Sequence, residues 1–174
     1  DTIRIVPKDD FRYQYLVFLD EENGLLLRGD MLDREGKLLD QFRVVTLYID
    51  DRLRGLTDYL NKVSVPPLLS EGKQESSLSI NWKTDWLPQG FDLIRQNHDV
   101  IDGGVIENAL FSDGLFTFTL YINKADSTAA TENTWKQGAY TIYSEVMGDK
   151  EITFIGQLPI AAAKRIVQGV TFLK

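Results

Sequence analysis

Phe111-Ser-Asp-Gly-Leu-Phe-Thr-Phe-Thr-Leu-Tyr-Ile122 is the stretch on which the fold class turns. Phe116, Phe118, Leu120 and Ile122 fall on every second position, with Leu115, Thr117, Thr119 and Tyr121 between them. That is the period of a strand with one buried face. Asp113-Gly114 in front of it is a two-residue hairpin signal, because glycine accepts the positive φ of a primed turn. A strand at about 105–112 should therefore return antiparallel at about 115–123. Further candidate strands lie at about 78–83, 91–98, 139–147 and 151–157, with Gly148-Asp-Lys150 turning the last two. Residues 125–133 are small and polar and predict a mobile loop. The chain then changes period. Ile160, Ala163, Ile166, Val167 and Val170 share one face opposite Lys164, Arg165 and Gln168, which predicts a helix over about 159–170 lying on the sheet. Pro159 suits its first turn, where a missing donor costs nothing.

The first fifty residues also read as strands. Phe11, Tyr13, Tyr15 and Val17 alternate with Arg12, Gln14 and Leu16. Turn chemistry at Asp20-Glu-Glu-Asn-Gly24 and Asp33-Arg-Glu-Gly-Lys37 separates further strands at about 25–32 and 38–49. Such a meander has no facing layer of its own and reads as part of a larger sheet. Leu53, Leu56 and Leu60 recur at helical spacing, which predicts a short helix within 50–62. Val65-Pro66-Pro67 must stop it, and the polar run Ser70–Ser77 follows. The expected organisation is mainly β (α+β). Residues 1–61 form one β part, 62–76 a linker, and 77–174 a small antiparallel β domain covered by a C-terminal helix.

Composition removes several classes of function. Among 174 residues, 26 acidic side chains outnumber 19 basic ones for a net charge of −7, and neither half is basic. A nucleic-acid footprint needs clustered Lys and Arg, so no nucleic-acid partner is expected. The absence of cysteine excludes disulfides, thiolate zinc sites and thiol nucleophiles. No run approaches the ~20 apolar residues of a membrane helix. The chain starts Asp1-Thr-Ile-Arg-Ile-Val-Pro7, without initiator Met or signal segment, and reads as processed or trimmed.

Catalysis finds little support. His98 is the only histidine and reads as a solvated strand or loop residue. Neither a Gly-x-Ser-x-Gly elbow nor a phosphate-cradling glycine loop is present. Asp9-Asp10, Asp20-Glu21-Glu22 and Asp50-Asp51 lack calcium-loop spacing and read as turns. No catalytic residue, metal ligand or cofactor is expected, and the chain reads as a non-enzyme.

The aromatic residues carry more information. Trp82, Trp86 and Trp135 could line a recognition surface, or Trp82 and Trp86 could anchor the core of a small sheet. Trp86-Leu-Pro-Gln-Gly-Phe91 forms a rigid apolar corner, with Pro88 and Gly90 setting its bend. It could equally dock a partner. Trp86, Phe91 and Trp135 are the candidate partner-binding residues.

The same corner, with Phe111-Ser-Asp-Gly-Leu-Phe116, Glu151-Ile-Thr-Phe-Ile-Gly-Gln-Leu-Pro159 and Ala163-Lys-Arg-Ile166, resembles the C-terminal domain of the RseB/MucB family. Leu32-Asp-Arg-Glu-Gly36, Leu39-Asp-Gln-Phe-Arg-Val44 and Pro66-Pro-Leu-Leu-Ser70 are similar to the end of that family's large domain and its linker. The resemblance implies a periplasmic negative regulator of the sigma-E envelope stress response, without enzymatic activity. It implies binding to the periplasmic region of the anti-sigma factor RseA or MucA, protection of that region from regulated proteolysis, and release by envelope stress. It also implies that residues 1–61 are closing strands of a half-barrel like those of the lipoprotein carriers LolA and LolB. Lipopolysaccharide or lipoprotein acyl chains would then be ligands of the intact large domain. A lipid or lipoprotein carrier and a carbohydrate-binding module using the tryptophans are the alternatives. An open sheet edge and an uncovered face of Phe11, Tyr13, Tyr15 and Val17 predict a homodimer or oligomer formed through residues 1–50.

Overall fold

The computed structural model describes residues 1–49, 52–63, 80–101, 104–126 and 130–173. Strands β1 (Thr2–Ile5), β2 (Gln14–Leu19), β3 (Leu26–Leu32) and β4 (Leu38–Arg43) form a four-stranded antiparallel sheet in chain order. β1 is an addition to the expected meander: Thr2 faces Phe18 and Ile5 faces Tyr15. β4 is shorter than expected, ending at Arg43 rather than near residue 49. The reason is its neighbour: β3 begins at Leu26, one residue beyond the rung in which Val44 N donates to Leu27 O at 2.8 Å, so a strand running to residue 49 would outrun β3.

Helix α1 (Arg52–Leu60) forms where the leucine spacing predicts it, but Leu53, Leu56 and Leu60 are exposed. Its apolar stripe is not covered by the described residues. Apart from residues 62 and 63, the expected linker and its prolines lie outside the described residues.

The C-terminal part holds β5 (Trp82–Thr84), β6 (Asp92–Ile101), β7 (Gly104–Ser112), β8 (Thr117–Lys124), β9 (Glu132–Gln137), β10 (Tyr140–Met147), β11 (Lys150–Gly156), α2 (Ile160–Gln168) and β12 (Val170–Phe172). Six of these strands form one antiparallel sheet in the order β6-β7-β8-β11-β10-β9, and β12 pairs with β5. α2 packs on β10 and β11, burying Ala162, Ala163, Ile166 and Val167. The alternation read from the sequence is real: Phe116, Phe118, Leu120 and Ile122 are all buried. Phe118 sits at the centre of an aromatic chain, 5.3 Å from Phe91, 5.0 Å from Phe111 and 5.0 Å from Phe154 between ring centroids. Burying each such ring contributes about 1.5–3 kcal/mol.

Three local expectations change. The Asp113-Gly114 turn spans residues 113–116, because the Asp113 carboxylate accepts from Leu115 N at 3.0 Å and Phe116 N at 2.8 Å. A side chain that satisfies two amides favours the longer connection over a two-residue one. Residues 132 and 133, placed in a mobile loop by their polarity, begin β9. Pro159 precedes the helix as its N-cap, with φ −58° and ψ 150°, rather than standing in its first turn.

The two sheets do not stand apart. Tyr13 and Met31 of the N-terminal part are buried in one cluster with Phe116 and Phe118, and Phe11 and Tyr15 pack against it. This corrects the expected uncovered face: Tyr13 is buried, and Phe11 and Tyr15 are partly buried against the cluster by their own chain.

Candidate functional site

The consecutive residues Phe11, Arg12 and Tyr13 lead into β2 and form the seam between the two parts. Arg12 Nε donates to Asp113 Oδ2 at 2.8 Å, Nη1 to the Asp9 carboxylate, and Nη2 to the Gln89 carbonyl. Its guanidinium carbon lies 5.1 Å from the centroid of the Phe91 ring. Phe11 meets Trp86 edge-on at 4.7 Å, and the Arg165 guanidinium of α2 lies 4.1 Å from the Trp86 ring and 5.2 Å from that of Phe11. Tyr15 reaches Phe116 at 5.4 Å. Thus Trp86-Leu-Pro-Gln-Gly-Phe91, the Asp113 turn and Arg165 all converge on one contact. Burial pushes the Asp113 carboxyl up, but the Phe116 amide, the Arg12 guanidinium and the Leu115 amide outweigh it and hold it below the ordinary value.

Beside the seam lies a groove of about 330 Å³. One wall is Leu39 and Asp40 of β4; the other includes Trp135 of β9, Tyr140 and Ile142 of β10, and Ile155 of β11. Register builds the second wall: Trp135 faces Ile142, and Ile142 faces Ile155. Thr141, Tyr143 and Phe154 point to the core, so alternation turns the Trp135–Ile142–Ile155 row outward. Trp135 is 49% exposed and Tyr140 50%. The walls touch at Gly138, whose φ is +57° and where a Cβ would stand 2.7 Å from Leu39 O. Only glycine fits both the backbone angle and the approach.

β9 is an edge of the six-stranded sheet, and all its residues are exposed; β4 is an edge of the four-stranded sheet. Backbone groups on such edges can pair with an added strand. A second cavity, of about 240 Å³, is lined by Tyr15, Val17, Leu26, Met31, Phe42 and Gln157 among others.

The three residues singled out from the sequence are not brought together. Phe91 is 5% exposed and belongs to the core. Trp86 is half-buried in the seam, and Trp135 stands in the groove. Sequence reasoning missed Arg12, Tyr140, Ile142, Ile155 and the role of Arg165. His98 faces Glu107 across β6 and β7, with Nδ1 4.0 Å from a carboxylate oxygen. Asp9 pairs with Arg12 and Asp10 with Arg34. Among the described residues no cluster of His, Asp or Glu could hold a metal ion.

The fold is that of a two-part antiparallel β protein with a groove carrying Trp135 and Tyr140 between its parts. Comparison with known proteins gives the lineage. The MucB/RseB C-terminal domain matches residues 76–171 and the MucB/RseB N-terminal domain matches residues 1–69. Over 172 residues the chain is 74% identical to the sigma-E factor regulatory protein RseB of Haemophilus influenzae, covering 99% of this chain and 55% of that protein. Over 175 residues it is 37% identical to RseB of Escherichia coli, covering 99% and 54%. Its fold is similar to that in a crystal structure of MucB in complex with MucA(peri), with a TM-score of 0.77 at 20% identity, covering 99% of this chain and 62% of that one. The chain belongs to the MucB/RseB family. It spans about half the length of the curated relatives it matches.

Proposed function

We propose that the chain acts in the periplasm as a negative regulator of the sigma-E envelope stress response, binding the periplasmic region of an anti-sigma factor of the RseA/MucA kind. Bound there, it shields that region from regulated proteolysis until envelope stress releases it. The observation that carries this reading is the groove between β4 and the Trp135–Ile142–Ile155 row, flanked by the edge strands β4 and β9, whose outer sides pair with no strand among the described residues. Proteases take their substrates extended, and a segment held along a sheet edge is not free to be offered in that form. Of Trp86, Phe91 and Trp135, Trp135 is assigned to the partner; the other two hold the frame. The proposal includes a domain plan: residues 1–61 as closing strands of a larger LolA-like domain, 62–76 as linker and 77–174 as the small domain. The test is a protection assay with the full chain and the cognate anti-sigma periplasmic region. The chain should co-purify with that region and slow its cleavage; cleavage at an unchanged rate would contradict the proposal.

A second reading has one observation behind it. The cavity of about 240 Å³ beside β2–β4 is lined mainly by apolar side chains, including Val17, Leu26, Met31 and Phe42, which suits an acyl chain from lipopolysaccharide or a lipoprotein. Displacement of a fluorescent fatty-acyl probe, lost on Phe42→Asp or Val17→Asp, tests it. Self-association is proposed only through the free edges of β1 and β4, since Phe11, Tyr13 and Tyr15 are covered. Sedimentation at micromolar concentration distinguishes a monomer from such a dimer.

A further inference from the structure

The groove has walls from two different parts of the chain, so its width depends on how those parts are held. Arg12 is placed to do this. It approaches from the N-terminal part, its side chain is 13% exposed, and its fork reaches Asp9 on its own side and Gln89 O and Asp113 on the other. Asp113 is committed twice, Oδ1 to the amides of its own turn and Oδ2 to Arg12. The guanidinium therefore ties β2 to the β7–β8 turn and to the corner that precedes β6. We propose that Arg12 is a positioning residue for the partner: it clamps the two parts in the arrangement in which Leu39 and Asp40 face Trp135 and Tyr140 across the groove.

This rests on the proposed binding of an anti-sigma segment in that groove. A lysine cannot replace the clamp, because one ammonium lacks the planar fork that serves acceptors in separate directions. Loss of the clamp leaves each sheet folded and the Tyr13–Met31 cluster and the Phe11–Trp86 stack in place, but without a directional tie the two parts can shift about that apolar contact. If only about a tenth of molecules then hold the competent groove, the apparent affinity falls about tenfold.

The chain has no cysteine, so Glu22→Cys and Asp149→Cys in exposed turns give two unique labelling positions, one on each part. The distance distribution between spin labels at these positions is read below the melting temperature, together with affinity for the cognate anti-sigma periplasmic region. Arg12→Ala and Arg12→Lys should both broaden the distribution and weaken binding by about tenfold. Asp113→Asn should do so to a smaller degree. An unchanged distribution in Arg12→Ala and Arg12→Lys overturns the clamp. A broadened distribution with unchanged affinity overturns the positioning role. Failure of the unsubstituted chain to bind would overturn the proposed function, and the label distances would still decide the clamp. Should Arg12→Ala not fold, Arg12→Lys and Asp113→Asn carry the same test.

Discussion

The Arg165 guanidinium lies 4.1 Å from the centroid of the Trp86 ring, with Phe11 edge-on to the same ring. Three elements distant in the chain, the lead into β2, the corner before β6, and α2, meet in that stack. A cation over a partly desolvated indole is worth about 1–2 kcal/mol, and an aromatic pair adds about 0.5–1.5 kcal/mol. Arg165→Ala should therefore lower stability by about 1 kcal/mol and Trp86→Ala by about 2–3 kcal/mol. Urea denaturation followed by circular dichroism reads both; equal, negligible losses would show that the stack holds nothing.

Gly156 of β11 pairs with Phe118 of β8, and a Cβ there would lie 2.4 Å from Phe118 Cβ and 2.8 Å from Thr117 O. Neither neighbour can yield, since one is backbone and the other anchors the aromatic chain. Gly156→Ala should destabilise the protein by at least about 2–3 kcal/mol, the cost of overpacking a core. The melting temperature checks it. By contrast Gly24→Ala, with open space around it, meets only the strain of its positive φ.

Two carboxylates make acid stability predictable in sign. The hydrogen bonds of Arg28 hold the buried Asp30 below its ordinary 3.8 against the opposing effect of burial, helped by Gln41. Asp113 is also depressed, the Phe116 amide, Arg12 and the Leu115 amide outweighing its burial. A depressed folded pKa adds stability that is complete above the unfolded value and is lost as pH falls through the folded one. The urea midpoint should thus hold to about pH 4 and then fall. Asp113→Asn should be less stable at neutral pH and show a shallower fall below that point, approaching the unsubstituted chain in acid. Parallel curves would contradict the assignment.

Much of the fold was legible because burial writes a period. Phe116 to Ile122 at period two and Ile160 to Val167 at helical spacing each mark an element that buries one face. β9 left no such mark: every residue from Glu132 to Gln137 is exposed, so nothing forces apolar residues onto alternate positions. β1 and β12 are four and three residues long and owe their existence to partners elsewhere in the chain. Of the residues lining the proposed groove, the sequence singled out only Trp135. The groove's wall depends on the registers Trp135–Ile142 and Ile142–Ile155, which periodicity within one strand does not contain. Arg12 misled for a related reason. It occupies a polar position in an alternating run, yet long-range acceptors draw it into the seam.

The decisive measurement is calorimetric titration of the chain with the cognate anti-sigma periplasmic region, set beside the same titration of Trp135→Ala. Trp135 is exposed on an edge strand, so its removal should leave the melting temperature nearly unchanged. As an aromatic anchor in the groove, its loss should weaken binding by at least about 2 kcal/mol, more than tenfold in affinity. An unsubstituted chain that does not bind, or a Trp135→Ala chain that binds equally well, would contradict the groove between β4 and β9–β10 as the place where the partner is held.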